Sequence, residues 1–194
     1  MVNCTANIYK VIESTCLKAK VGGIEQKVWA IPRAWLNPTF DVTTPNLITD
    51  LTKIATKVAY PITSTGIAKL FDAGSDLVAA DDRPDRWKHS FIFQQFEMNA
   101  ADIDNVDAMN DMVFIYEGKD KTTDGDGVFF AVGVKSGLYK EADTKRTNTN
   151  HGSRSLTFSN KGDDTETSSI YVVKKTGGYA ATLAMLVALE TVNV

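Results

Sequence analysis

Asp124–Lys140 reads DGDGVFFAVGVKSGLYK, and how its side chains alternate decides the fold class. Val128, Phe130, Val132, Val134 and Leu138 fall on one side of an extended chain, and Phe129, Ala131, Gly133, Lys135, Gly137 and Tyr139 on the other. Period two belongs to a strand, whose successive Cβ atoms point to opposite sides of the pleat, and β-branched and aromatic residues suit that surface. The first side is expected to be core. The second mixes aromatic, glycine and lysine, and suits a surface where another backbone comes close. DGDG ahead of the run is turn chemistry, so Asp111–Gly118 (DMVFIYEG) and the quoted strand are expected to form a hairpin.

Working outward, the polar loop Lys140–Gly152 leads to Ser153–Ser159 (SRSLTFS). There Leu156 and Phe158 point to the core, and Ser153, Ser155, Thr157 and Ser159 form a hydroxyl row toward solvent or a wet channel. Arg86–Met98 (RWKHSFIFQQFEM) puts Trp87, His89, Phe91 and Phe93 on one face, then Phe96 and Met98 on the other, which calls for a bend or bulge near Gln94. Glu25–Pro32 (EQKVWAIP) reads as a strand buried on both sides, followed by a loop from Arg33 to Asn46. Leu47–Thr63 holds two strand-like runs, the second with Ile54, Val58, Tyr60 and Ile62 on one face; Ile67–Phe71 and Asp76–Ala80 are weaker, and Ser168–Lys174 is a further strand.

Two helices are expected. Asn99 caps Ala100–Asp111, with Asp102 three residues on and Ala100, Ile103, Val106 and Met109 or Asn110 as the inner stripe. Gly177-Gly178 opens a C-terminal helix, Tyr179–Glu190, apolar on nearly every side. Such a helix is usually buried all round, so Tyr179, Leu183, Leu186 and Val187 are candidates for a subunit interface. The fold expected is α+β and mainly β: an antiparallel β-sandwich or barrel with a short flanking helix and a C-terminal helix.

At 194 residues and 43% hydrophobic, the chain can bury one good core. One domain over 1–194 is expected, with an N-terminal arm over about 1–23 and the C-terminal helix over about 178–191. In the arm, Ile8, Val11, Ile12 and Cys16 would share a helical stripe, with a strand or an arm ordered on assembly as alternatives. The net charge of -3 and pI near 5.4 argue against general affinity for the phosphate backbone. The start lacks a basic region followed by an apolar run, and no stretch is apolar enough for a membrane span, so synthesis in the cytosol with no membrane partner is expected. Cys4 and Cys16 make no disulfide framework and match no zinc spacing.

Chemistry is hard to find. His89 lies on an aromatic strand and His151 in a polar loop, and both read as structural or merely exposed. Ser136 in GVKSG sits one position late for a nucleophile elbow, inside an expected strand, and a Cys-His pair would have to recruit Cys4 or Cys16. No phosphate-cradling glycine motif follows a strand. Asp120, Thr122, Asp124 and Gly125 imitate the start of a calcium loop, but Ala131 stands where a bidentate Glu is needed, so a hairpin turn is the better reading. Lys135, Lys140, Lys145, Arg146 and Arg154 make a basic cluster that Glu141 and Asp143 dilute to a solvated loop, with pairing to another subunit's acidic patch left open. The expectation is no enzyme, no cofactor and no metal, and β-structure that serves as a scaffold for assembly.

NCTANIYKVIESTC, GGIEQKVWAIPR, NLITDLT, DRPDRWKHSFIFQQFE, VFIYEGKDK, GDGVFFAVGVKSGLYK and SRSLTFSNKGDDTETSSIYVV resemble virion structural proteins of Bacteroidetes phages and prophages, of the major tail tube type, over nearly the whole chain. The resemblance implies a β-sandwich or barrel core with a flanking helix, and subunits that close into hexameric rings. It also implies rings that stack into the conduit for DNA ejection. The partners would be other copies of the chain and other tail proteins such as sheath, terminator or baseplate, with DNA passing through unbound and the virion tail as location. Stacking would use Arg33–Asn46 or Lys140–Gly152, and Ser153, Ser155, Thr157 and Ser159 would line the lumen. Two alternatives stand beside it: another tail or neck component, or a monomeric β-sandwich module binding carbohydrate or protein through Trp29, Trp35, Trp87 and the tyrosines.

Overall fold

The computed structural model describes residues 23–63, 71–79, 85–95, 99–121, 126–145 and 153–192. The expected arm, Cys4 and Cys16, Phe96, Met98, Arg146, His151 and the turn residues Thr122, Asp124 and Gly125 lie outside them. Among the described residues, eleven strands and two α-helices follow in order: β1 Ile24–Pro32, β2 Leu36–Phe40, β3 Leu47–Lys53, β4 Tyr60–Thr63, β5 Phe71–Val78, β6 Arg86–Gln95, α1 Ala100–Asp107, β7 Met112–Lys121, β8 Gly127–Val132, β9 Tyr139–Lys145, β10 Arg154–Ser159, β11 Tyr171–Val173 and α2 Gly178–Ala188. They make a mainly β sandwich: a seven-stranded sheet, β2-β3-β11-β8-β7-β1-β4, and a four-stranded sheet, β5-β6-β10-β9. All pairings are antiparallel except β11 with β3.

The seven-stranded sheet is the middle of three layers. Val28, Ala30, Phe114, Tyr116 and Val132 on one of its faces meet Phe71, Phe91, Phe93, Leu156 and Phe158 of the four-stranded sheet. Trp29, Ile31, Val113, Ile115, Phe129 and Ala131 on the other face meet Met185, Leu186 and Leu189 of the C-terminal segment. Burial on both faces is why β1 and β7 read as unbroken apolar runs.

The same layering corrects the opening stretch. Phe129 and Ala131 are as buried as Val132, because α2 covers their side and Tyr179 stacks on Phe129 with ring centroids 5.3 Å apart. The strand also stops at Val132: Gly133 (φ 77°) and Gly137 (φ 72°) close a turn in which Gly137 N donates to Gly133 O at 3.0 Å. Ser136 therefore sits in a turn, with its hydroxyl donating to Thr165 O at 2.8 Å.

Both expected long loops contain strands. Arg33–Asn46 holds a 3₁₀ turn, Arg33–Trp35, and β2, which pairs with β3 in spite of Pro38 because β2 is the sheet's edge. In Lys140–Gly152, β9 runs to Lys145 along β10. Conversely, the second run of Leu47–Thr63 shrinks to β4, with Ile54 and Tyr60 exposed and Ala59 buried. The hairpin of β7 and β8 is as expected, with Lys121 opposite Gly127. So is the cap of α1, where Asp102 N donates to the Asn99 side chain at 2.9 Å; Val106 is buried, and Ala100 is exposed rather than inward.

Candidate assembly surfaces and a buried polar hub

Three members of the expected hydroxyl row, Ser155, Thr157 and Ser159, belong to β10, an interior strand of the four-stranded sheet, and Ser153 immediately precedes it. Leu156 and Phe158 point into the sandwich, so Ser155, Thr157 and Ser159 point away from it, opposite Gln94, Ile92 and Ser90 of β6 and Thr144, Ala142 and Tyr139 of β9. From β5 this outer face adds Asp72, Gly74, Asp76 and Val78, and from β6 Arg86 and Lys88, which stand opposite Val78 and Asp76. Glu141 of β9 reaches Lys88 at 3.9 Å and Lys161 Nζ lies 5.7 Å from the Tyr139 ring centroid, so carboxylates and cations are mixed on a face otherwise made mostly of hydroxyls, an amide and small groups. Ser155 and Thr157 are half-buried, whereas Ser153 and Ser159 are 0% and 5% exposed, so the row is not a uniformly wetted strip.

The two sheets manage their edges differently. In the seven-stranded sheet, β2 carries Pro38 and β4 is four residues long with Pro61, features that discourage further pairing. In the four-stranded sheet, β5 is eight residues long and β9 seven, and neither holds a proline. Three antiparallel steps separate them, so β9 runs opposite to β5, and a copy rotated about an axis along the strands would bring its β5 antiparallel to the first copy's β9.

α2 differs from the expectation. Leu186 is fully buried in its own chain, and Tyr179 and Leu183 pack against the same core, so of the four interface candidates only Val187, 43% exposed, faces outward. The outward side is otherwise Ala180, Ala184 and Ala188. Alanines made the helix look apolar all round, while the side chains large enough to need burial lie on one side.

Of the basic cluster, Lys140 and Arg154 are paired within the chain. Arg154 Nε donates to Asp143 at 2.7 Å, and its Nη2 reaches both Asp143 and Asp107. Lys140 Nζ donates to Val106 O at 2.9 Å in the last turn of α1, where a cation suits the helix dipole. The Arg154 hydrogen bond holds the Asp143 carboxyl below the usual carboxylate range, against the upward push of burial.

The densest polar arrangement is around the turn after β8. Glu166, 0% exposed, accepts from Lys135 N at 3.1 and 3.2 Å, Ser136 N at 2.9 Å and the Tyr171 hydroxyl at 3.1 Å. His89, also 0% exposed, accepts from Gly133 N at Nδ1 (3.2 Å), so Nε2 carries the proton and donates to Ser168 O at 2.9 Å. Asn160 accepts from His89 N at 2.6 Å and donates to Gly137 O at 2.8 Å. Arg33 holds Asp111 at 2.8 and 3.1 Å and donates to Lys135 O at 3.3 Å. Burial lowers the His89 pKa, with the Glu166 charge pulling the other way. Glu166 and Asn160 escape a reading by periodicity because both lie outside the alternating runs; the available signal is the Gly133/Gly137 pair, whose turn aims successive N–H groups at an acceptor.

Every polar group of this hub is engaged structurally, and the Ser136 hydroxyl is held by a carbonyl rather than by a base. Trp29 and Trp35 do not offer open ring faces. Trp29 is 2% exposed, and Lys57 Nζ sits 4.6 Å from the Trp35 ring centroid, over the face a sugar would need. Among the described residues no group of three His, Cys, Asp or Glu side chains could hold a metal ion, and no helix is long and apolar enough to cross a membrane. In comparisons with protein families, curated proteins and solved structures, the chain matches none.

Proposed function

We propose that this chain is a virion structural protein, a tail tube subunit that self-assembles into stacked hexameric rings forming the conduit for DNA ejection, as its resemblance to phage tail tube proteins implies. The observation that carries the assembly part is the four-stranded sheet: its edges β5 and β9 are long, free of proline and opposite in direction, while both edges of the larger sheet carry proline. Edge-to-edge repetition around a closed ring satisfies backbone groups that otherwise invite uncontrolled pairing. The face that would then turn toward the axis is hydroxyl-rich and charge-balanced, with Ser155 and Thr157 at its centre and Ser159 at its end. Such a wall offers passing phosphates no cationic surplus to hold them. Its partners are other copies and neighbouring tail components, and its place is the virion tail after synthesis in the host cytoplasm.

Negative-stain electron microscopy of the purified protein over a concentration series tests this. Rings or open tubes with a central hole are expected. A single proline in β5 should abolish them without unfolding the subunit: successive N–H groups alternate sides, so one of Ser75→Pro and Asp76→Pro removes an outward donor and leaves the β6 ladder intact. Rings that survive both substitutions would remove β5 from the joint.

A further inference from the structure

We propose that His89 is an acid-release latch: it joins the four-stranded sheet to the turn after β8 through an unprotonated Nδ1, and a second ring proton opens that joint. The argument rests on hydrogen-bond counting in a sealed site. Nδ1 accepts from Gly133 N and Nε2 donates to Ser168 O, so the neutral ring is fully satisfied. An imidazolium has two donors and no acceptor, so the Gly133 N–H would face another N–H inside a site that is 0% exposed. The bond at stake crosses the sandwich. His89 lies on β6, while Gly133 begins the turn whose Lys135 and Ser136 amides hold Glu166 and whose Gly137 carbonyl holds Asn160.

The surrounding groups set the direction of the response. The Tyr171 ring from β11 meets the imidazole edge to face at 6.0 Å, and its hydroxyl bonds to Glu166. Glu166 from the β10–β11 connection is the anion that favours a charged ring, but its oxygens are already committed to two backbone amides and the Tyr171 hydroxyl. From the turn, Lys135 sends its ammonium away to Thr167 Oγ1 at 2.9 Å, and on the turn's other side Arg33 and Asp111 neutralise each other. Burial thus outweighs Glu166, and the folded His89 binds its proton less readily than the opened one. With the folded pKa below the ordinary value near 6.5, the opened form gains the proton first as pH falls. The latch is closed above about pH 6.5 and its closing equilibrium weakens below it, by up to about tenfold per pH unit, until the folded ring also titrates.

Hydrogen exchange read by NMR, corrected for the intrinsic pH dependence of exchange, tests the latch between pH 7.5 and 5. The Gly133, Lys135 and Ser136 amides should lose protection as pH falls below about 6.5, by up to about tenfold per pH unit until the folded ring titrates, while amides of β1 and β7 hold theirs. In His89→Gln the amide side chain can accept from Gly133 and donate to Ser168 without titrating, so the loss should vanish. The same acid loss in His89→Gln would assign the response to carboxylates and overturn the proposal. Should that variant not fold, ¹⁵N shifts of the wild-type His89 ring decide: protonation with Gly133 protection unchanged overturns the latch, and protonation coincident with its loss supports it.

Discussion

At the scale of single residues, the turn after β8 depends on a backbone conformation that only glycine adopts cheaply. Gly133 has φ 77°, and a Cβ there would lie 2.7 Å from Leu138 Cγ and 2.8 Å from Met112 O. The second contact is backbone and cannot rotate away. Gly133→Ala should therefore cost more than the roughly 1–3 kcal/mol of left-handed strain alone, because the clash and the disturbed His89 bond add to it. Gly162 is the matching control. Its φ is 58°, but a Cβ would meet nothing within 4 Å, so Gly162→Ala should cost about 1–2 kcal/mol. Urea unfolding of the two variants checks the difference; equal costs would mean that the packing around Gly133 relaxes freely. The turn also marks where reading by sequence stopped working. Alternation identified Phe130, Val132, Leu156 and Phe158 as core, but period two continues on paper through Leu138 although the chain turns at Gly133. His89 was legible as part of an aromatic strand; the burial of Glu166 was not, because a lone acid in DDTETSS reads as solvated until the fold brings Lys135 and Ser136 to it.

At the scale of elements, α2 shows what periodicity can and cannot convey. Its existence and its glycine start were legible, since Gly177 takes φ 105° at the N-cap and the helix spans Gly178–Ala188. Its burial was not. An alanine counts as apolar in any pattern yet has almost nothing to bury, so Ala180, Ala184 and Ala188 can face outward at little cost. The two branched residues beside each other separate the readings. Leu186 is 0% exposed beneath the helix, and Leu186→Ala should cost about 2–5 kcal/mol in chemical denaturation. Val187 is 43% exposed, and Val187→Ser should stay within about 0.5 kcal/mol of the parent. If Val187→Ser nevertheless abolishes rings at unchanged stability, the outer side of α2 is a contact between copies. If rings persist, the helix is a lid on its own sheet, and β2 and β9, which were expected as loops, carry more of the architecture than the helix does.

At the scale of the whole molecule, the two sheets divide labour: the larger is buried on both faces and carries proline at both edges, while among the described residues the smaller has one face turned away from the core and two long edges without proline. Joining β9 of one copy to β5 of the next is a heterologous contact, which propagates until it closes, whereas β5 on β5 or β9 on β9 would be isologous and stop at a dimer. Mixing blocked variants distinguishes these cases. A copy whose β5 edge is blocked by proline at Ser75 or Asp76 still presents β9, and a copy blocked at Thr144 or Lys145 still presents β5. Under the heterologous scheme each variant alone is monomeric, and an equimolar mixture forms heterodimers that cannot grow, because the two remaining edges are the blocked ones. Under an isologous scheme at least one variant dimerises alone and mixing adds nothing. Light scattering on the separate and mixed samples reads out the difference, and rings that persist in both blocked variants would show that neither edge makes the joint.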